Sequence, residues 1–316
     1  MTAMGSGARV RVNVFPGGFN WPLFVGREKG FFARHDLDVE VQATTGSIEQ
    51  MSDFAAGRFE IAMTGFDNIV AYVEGDGEAP IAAQPDFFAF LGSDDSFLSL
   101  VAAPGIEDVA HLRGREIAVD AATTGYAFVL YELLARAGVQ AGDYEVAKVG
   151  GMAQRWEDLR RGLHPATLLS TPYDLLAQSE GFRILAQVRE VLGSYQGNVA
   201  AARRRWAAEN SDAVVSYIRS YIDAVQWLYE PSHMNEACDI LLANVPGIPA
   251  ALARASYALL LDPATGFFPD AGIRPEGVRA VLDLRSRYGP SRRPLRDPAK
   301  YVDRSYWEAA WEAATA

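Results

Sequence analysis

Near its start the chain alternates Val10, Val12 and Val14 with Arg11 and Asn13, the period-two pattern of a half-buried strand. The loop Phe15-Pro16-Gly17-Gly18-Phe19-Asn20-Trp21-Pro22 follows, and Pro22 and Gly30 bracket a short helix as first-turn proline and terminating glycine. Residues 38–42 alternate again. Ser47, with Gln50 three positions on, reads as a capping box that opens a second helix, ended by Gly57. Residues 60–64 read as a third strand, and Ile69, Val70 and Val73 give the next helix an apolar face. This β-α-β-α-β-α order predicts a mostly parallel sheet. Ligands of such sheets bind beyond the carboxyl ends of the strands, which makes the Gly-aromatic loop after the first strand a candidate binding surface.

The pattern then restarts. Residues 80–91 and 98–103 read as extended segments, with Gly92-Ser93-Asp94-Asp95-Ser96 between them as a crossing and Asp94-Asp95 as a solvated turn. Strands are expected at 115–119, 144–149, 166–169 and 183–188, with helices at 107–112, 126–137, 153–161 and from Tyr173 onward. Gly193-Ser194-Tyr195-Gln196-Gly197-Asn198 is a second break. From Arg204 the chain reads as almost wholly helical. Val214, Ile218, Tyr221, Ile222, Val225 and Leu228 keep a 3.6 period, and Trp307 and Trp311 share a face of a final helix. The expected architecture is an α/β, two-lobed clamshell with a helical carboxyl-terminal segment. Residues 1–92 and 197–316 form lobe I, 93–196 form lobe II, and the hinge crossings fall near 88–98 and 189–199.

At 316 residues the chain is about twice the ~150-residue domain prior, in keeping with two lobes. A net charge of −11 argues against nucleic acid and anionic membrane surfaces as partners. It does not oppose a small anion, which one local site can hold. Cys238 is the single cysteine, so no disulfide forms within the chain and no cysteine metal cluster exists. No apolar run approaches the ~20 residues of a spanning helix. Residues 1–8 show neither a cationic region nor an apolar core, so no export signal is read there. Two readings of the compartment stay open: a removed leader, or a native cytoplasmic start.

Pro22-Leu23-Phe24, Glu28-Lys29-Gly30-Phe31-Phe32 and Leu37-Asp38-Val39-Glu40 form one set of local motifs. Ala56-Gly57-Arg58-Phe59-Glu60-Ile61-Ala62, Asp67-Asn68 with Ala71-Tyr72 and Glu74-Gly75, and Leu112-Arg113-Gly114 through Asp120 form another. In this order, with Tyr195-Gln196-Gly197, Trp206 and Tyr301-Val302-Asp303, the chain resembles the SsuA-like solute-binding proteins of ABC importers for sulfonates, nitrate and thiamine precursors. The resemblance implies a type II periplasmic-binding fold, a small-molecule ligand between the lobes, an ABC permease as partner if the protein is exported, and a monomer. At Arg34-His35-Asp36 the chain lacks the glycine that the family commonly has before its Leu-Asp-Val strand. The same fold hosts cytoplasmic enzymes, including desulfinases, decarboxylases and thiamine-pyrimidine synthases, so the alternative is a cytoplasmic lyase, decarboxylase, desulfinase or hydrolase acting on a small aromatic or heterocyclic acid.

The candidate ligand-binding residues sit at strand ends. Phe15, Phe19, Asn20 and Trp21 offer ring stacking and an amide. Thr45 and Ser47 offer donors at a helix start. Phe66, Asp67 and Asn68 follow the third strand, with Asp67 also suited to capping the next helix. Thr123, Thr124, Gly125 and Tyr126 combine hydroxyls, a glycine and a helix amino end, the best anion site in the chain. Arg155 offers positive charge, weighed against a solvated surface role. Ser170 and Tyr173 follow a strand expected to face the cleft, and Tyr195 and Gln196 lie at the second crossing. No nucleophile elbow, phosphate loop, metal-ligand spacing or cofactor motif is visible. His164 is the one histidine kept as a weak acid/base candidate. Together these features point to a small planar or aromatic anion.

Overall fold

The computed structural model describes residues 7–81 and 85–315. The part of the extended reading at 80–91 that covers residues 82–84 lies outside them. Two five-stranded sheets organise the chain. The first contains β1 (Ala8–Val14), β2 (Leu37–Ala43), β3 (Ile61–Gly65), β4 (Phe87–Gly92) and β10 (Asn198–Arg203), in the order β2-β1-β3-β10-β4. The second contains β5 (Leu98–Ala102), β6 (Glu116–Val119), β7 (Glu145–Lys148), β8 (Ala166–Ser170) and β9 (Arg183–Gln187), in the order β7-β6-β8-β5-β9. This is the two-lobed type II periplasmic-binding architecture, and helices from Arg204 to Thr315 supply the carboxyl-terminal segment.

Each sheet has parallel pairs on one side. β1 runs parallel to β2 from Ala8↔Leu37 to Val14↔Ala43 and parallel to β3, and β6 runs parallel to β7 and β8. Each sheet also receives one antiparallel strand after the chain crosses over. β5 lies between β8 and β9, and β10 lies between β3 and β4. The mostly parallel expectation therefore holds in each sheet except at this inserted strand. β10 has no counterpart among the strands read from the sequence. Val199, Ala200, Ala201 and Ala202 are fully buried, covered on both faces, and a run of alanines carries neither strand propensity nor alternation.

The paired crossings are tied by a buried carboxylate. Asp94 is fully buried, which corrects its reading as part of a solvated turn. Its Oδ1 accepts from Ser96 N (2.8 Å) and Asn198 N (3.3 Å), and its Oδ2 from Asn198 Nδ2 (3.2 Å). Its backbone carbonyl accepts from Gly197 N (3.0 Å). A Cβ on Gly197 would fall 2.0 Å from Asp94 Oδ1, so this approach of the two strands requires glycine. A turn at this position is desolvated because both crossings pass through the interior side by side.

Burial pushes the Asp94 carboxyl up to about 6. An acid with a raised native value favours folding most below its unfolded value, near 4, and loses that contribution as pH rises through 6. The stability of the wild-type protein relative to Asp94→Asn is therefore expected to fall between pH 4 and 6, by up to about 3 kcal/mol. Urea unfolding of both proteins across that range measures it. A difference independent of pH would refute the assignment.

Before β2, Asp36 adopts φ 56°, the left-handed conformation that the family's glycine reaches without strain. The aspartate keeps the turn, since aspartate tolerates this region better than most side chains.

Candidate functional site

Loops at the carboxyl ends of β1, β3 and β6 meet across a cleft of about 580 Å³, part of it open to solvent. Phe15, Phe19, Gly65, Asp67, Asn68 and Asn198 line it from the first sheet, and Asp120, Thr124, Gly125, Tyr126, Gly151, Met152 and Arg155 from the second. Tyr195, at the second crossing, also lines it. The two sides touch. Gly151 N donates to Thr45 O (3.0 Å), and Thr123 N and Oγ1 donate to Glu78 Oε1 (2.8 and 2.9 Å). Lys148 Nζ lies 2.7 Å from Glu78 Oε2. Gly125 packs so tightly that a Cβ there would fall 2.3 Å from Asp67 Cβ and 2.5 Å from the Tyr195 hydroxyl.

Of the sequence candidates, Phe15, Phe19, Asp67, Asn68, Thr124, Gly125, Tyr126, Arg155 and Tyr195 line the cleft. The others turn elsewhere for local reasons. Asn20 Nδ2 folds back on Phe15 O (2.5 Å). Trp21 is fully buried, its indole N–H on Ala237 O (3.0 Å). Thr45 Oγ1 is engaged by Glu49. Ser47 begins its helix with Gly46 at the cap position and no side-chain cap bond, so the capping box is absent. Gln50 instead is buried and donates to Asn13 Oδ1 (3.1 Å) and Met63 O (3.2 Å), because an internal amide must find partners. Phe66 is core. The N–H and hydroxyl of Thr123 are spent on Glu78, so they are not the free anion donors expected there.

Ser170 Oγ donates to Met152 Sδ (2.9 Å), and Tyr173 is buried on the helix Tyr173–Ser179. Gln196 Oε1 accepts from Arg274 N (3.0 Å). His164 Nδ1 lies 3.5 Å from Glu116 Oε2, away from the cleft lining. Cys238 is buried on the helix Met234–Asn244, where desolvation raises its thiol. Gly65, Asp120, Gly151, Met152 and Asn198 line the cleft without having been singled out. Asp120 was readable as the residue ending a strand; the others carry no sequence signal of their own.

Arg155 corrects the surface alternative. It is 4% exposed, on the helix Met152–Arg160. Its Nε donates to Gly150 O (3.0 Å), and its Nη1 to Leu168 O (2.7 Å) and Thr167 Oγ1 (3.2 Å). These bonds hold the guanidinium against the cleft wall. Among the described residues it makes no ion pair, and burial pulls it below its ordinary value, opposed by the nearby charge of Asp120.

Asp67 has a different role from the helix cap expected of it, since Gly65 holds that position. Its Oδ1 accepts from Arg285 Nε (2.6 Å) and its Oδ2 from Arg285 Nη2 (2.5 Å), both side chains being buried. Arg285 Nη2 also donates to Thr123 O (2.8 Å). Asp67 is thus neutralised, and Arg155 is left as the cleft's cation without an ion pair among the described residues.

The family model described as NMT1-like matches residues 6–242, three quarters of the chain. The chain belongs to the NMT1-like family. No curated protein matches it in sequence. Solved structures share its fold at low identity. A protein of Bordetella bronchiseptica RB50 is 21% identical, with a TM-score of 0.79 over 98% of this chain and 99% of that one. The periplasmic nitrate-binding protein NrtA from Synechocystis PCC 6803 is 14% identical, with a TM-score of 0.82 over 97% and 89%. The alkanesulfonate-binding protein SsuA from Xanthomonas axonopodis pv. citri, bound to MOPS, is 17% identical, with a TM-score of 0.76 over 95% and 100%. A desulfurization enzyme, DSZB, has the fold too, at 12% identity and a TM-score of 0.62 over 97% and 99%. At these identities the likeness concerns fold. No helix of the described residues in this NMT1-like chain is long and apolar enough to cross a membrane.

Proposed function

We propose that this NMT1-like protein is the substrate-binding component of an ABC importer and holds a small planar or aromatic acid in its cleft. The observation that carries the reading is Arg155, a buried guanidinium fixed at the cleft wall with no carboxylate paired to it among the described residues. A buried charge without a partner is costly, and a ligand carboxylate or sulfonate supplies the partner with charge-assisted hydrogen bonds. Phe15, Phe19, Tyr126 and Tyr195 give the same cleft aromatic walls. NrtA and SsuA, which share the fold, are described as binding nitrate and alkanesulfonates, both anions.

In this reading residues 1–92 with 197–316 and residues 93–196 are the two jaws. They close by hinge motion at the crossings near 88–98 and 189–199, and the closed form docks on a permease outside the cytoplasm. The protein works as a monomer without a cofactor. A thermal-shift screen of aromatic carboxylates, sulfonates and pyrimidines tests the reading. At about 100 times its Kd a true ligand adds about 2.7 kcal/mol of stability, seen as a Tm rise of several degrees. No rise with any compound of the panel would overturn it.

A further inference from the structure

The cleft holds one buried cation, Arg155, beside side-chain acceptors on Asp120, Asn68 and Asn198. Asp120 is half-buried at the end of β6 and makes no ion pair among the described residues. Among the described residues its carboxylate has one long hydrogen-bond contact, 3.5 Å from Ser47 N. Asp120 and Arg155 therefore share the cleft without pairing. In an enclosed site such an arrangement is poor for the protein alone and good for a ligand that carries both complements.

Two amides extend the pattern. Asn198 Nδ2 donates to Asp94 Oδ2 (3.2 Å), an oxygen of a carboxylate at the buried crossing. That bond uses one of the two amide N–H groups, and the carbonyl oxygen accepts no bond among the described residues. Asn68 Nδ2 donates to Thr64 Oγ1 (2.9 Å), and its carbonyl oxygen likewise accepts no bond among the described residues. Thr124 Oγ1 donates to Ala121 O (3.0 Å), so its hydroxyl proton is also spent inside the protein. A ligand with only an acid group would satisfy Arg155 and leave these acceptors desolvated, at a cost for each.

We propose that the solute of this cleft is an acid that also carries N–H donors, an amino or amide acid. Its acid group pairs with Arg155, and its N–H groups are received by Asp120 and the carbonyl oxygens of Asn68 and Asn198. This rests on the binding reading above and narrows its ligand class. Isothermal titration of matched compounds tests it: benzoate against 4-aminobenzoate, ethanesulfonate against 2-aminoethanesulfonate, and aniline as the donor without the acid. The amino member of at least one pair is expected to bind about tenfold tighter than its parent acid, with aniline far weaker.

Asp120→Asn is expected to cut that preference about fivefold or more. Wild-type protein that binds parent and amino acids equally would overturn the proposal and spare the binding reading. A preference unchanged in Asp120→Asn, or aniline as tight as 4-aminobenzoate, would also overturn it. Wild-type protein that binds none of the acids would overturn the binding reading and this proposal with it. The wild-type comparison decides the matter even where the variant fails to fold.

Discussion

Arg285→Met is expected to destabilise the protein by about 3–5 kcal/mol, and Asp67→Leu combined with it to restore most of that loss. The guanidinium lies in the interior on the helix Pro275–Tyr288 and bonds both oxygens of Asp67, 218 positions earlier in the chain. Phe128 lies under it, 4.9 Å from its centre, and Asp67 holds its charged state despite burial. Removing the arginine alone leaves a desolvated carboxylate whose Coulomb partner is gone, and that desolvation dominates over the lost bonds themselves. Removing both charges leaves a packed apolar site, which buried pairs tolerate well. Scaled to a chain of this size, the single variant should melt roughly 5–10 °C lower. Urea titration of wild type, both single variants and the double variant closes the cycle. Singly additive effects would show that the pair is not coupled. Because Arg285 also bonds Thr123 O on the opposite side of the cleft, its loss is expected to weaken ligand binding as well.

The largest expected effect on binding comes from Arg155→Met. Affinity for benzoate, or for whichever acid of the screen binds, should fall at least about 100-fold, the scale of a lost buried charge-assisted pair. Stability should change much less than in Arg285→Met. The variant strands the carbonyls of Gly150 and Leu168, but it also removes a buried cation that makes no ion pair among the described residues. The two effects oppose each other, so Tm should stay within a few degrees of wild type. Titration calorimetry with a melting curve on the same sample separates the outcomes. Unchanged affinity at unchanged Tm would remove Arg155 from the site.

These two arginines show where sequence reading succeeds and where it stops. Arg155 was in view because Gly150-Gly151 marked a loop before a helix, and loops at strand ends are where such folds place ligands. Arg285 was not, since an arginine in the last turn of an amphipathic helix has the same local signature whether it is solvated or buried. The strand at 198–203 escaped for a related reason. Alanine is the residue that a helix-flanked central strand needs for space, and it is also the best helix former. Ser47 and Thr123 failed in the opposite direction. Both sit where a helix cap or anion site belongs, but Gly46 holds the cap position before Ser47, and Glu78 occupies Thr123.

By itself the sequence determined the alternation of strands and helices, the two crossings, and the loops that stand at strand ends. Those follow from periodicity and turn chemistry over a few neighbouring residues. Only the tertiary structure decided which side chains of those loops face the cleft, and which charges are already matched within it. Asp67 is paired with Arg285, while Arg155 and Asp120 make no ion pair among the described residues. Charge matching and desolvation depend on groups brought together from distant parts of the chain, and no local pattern encodes that distance.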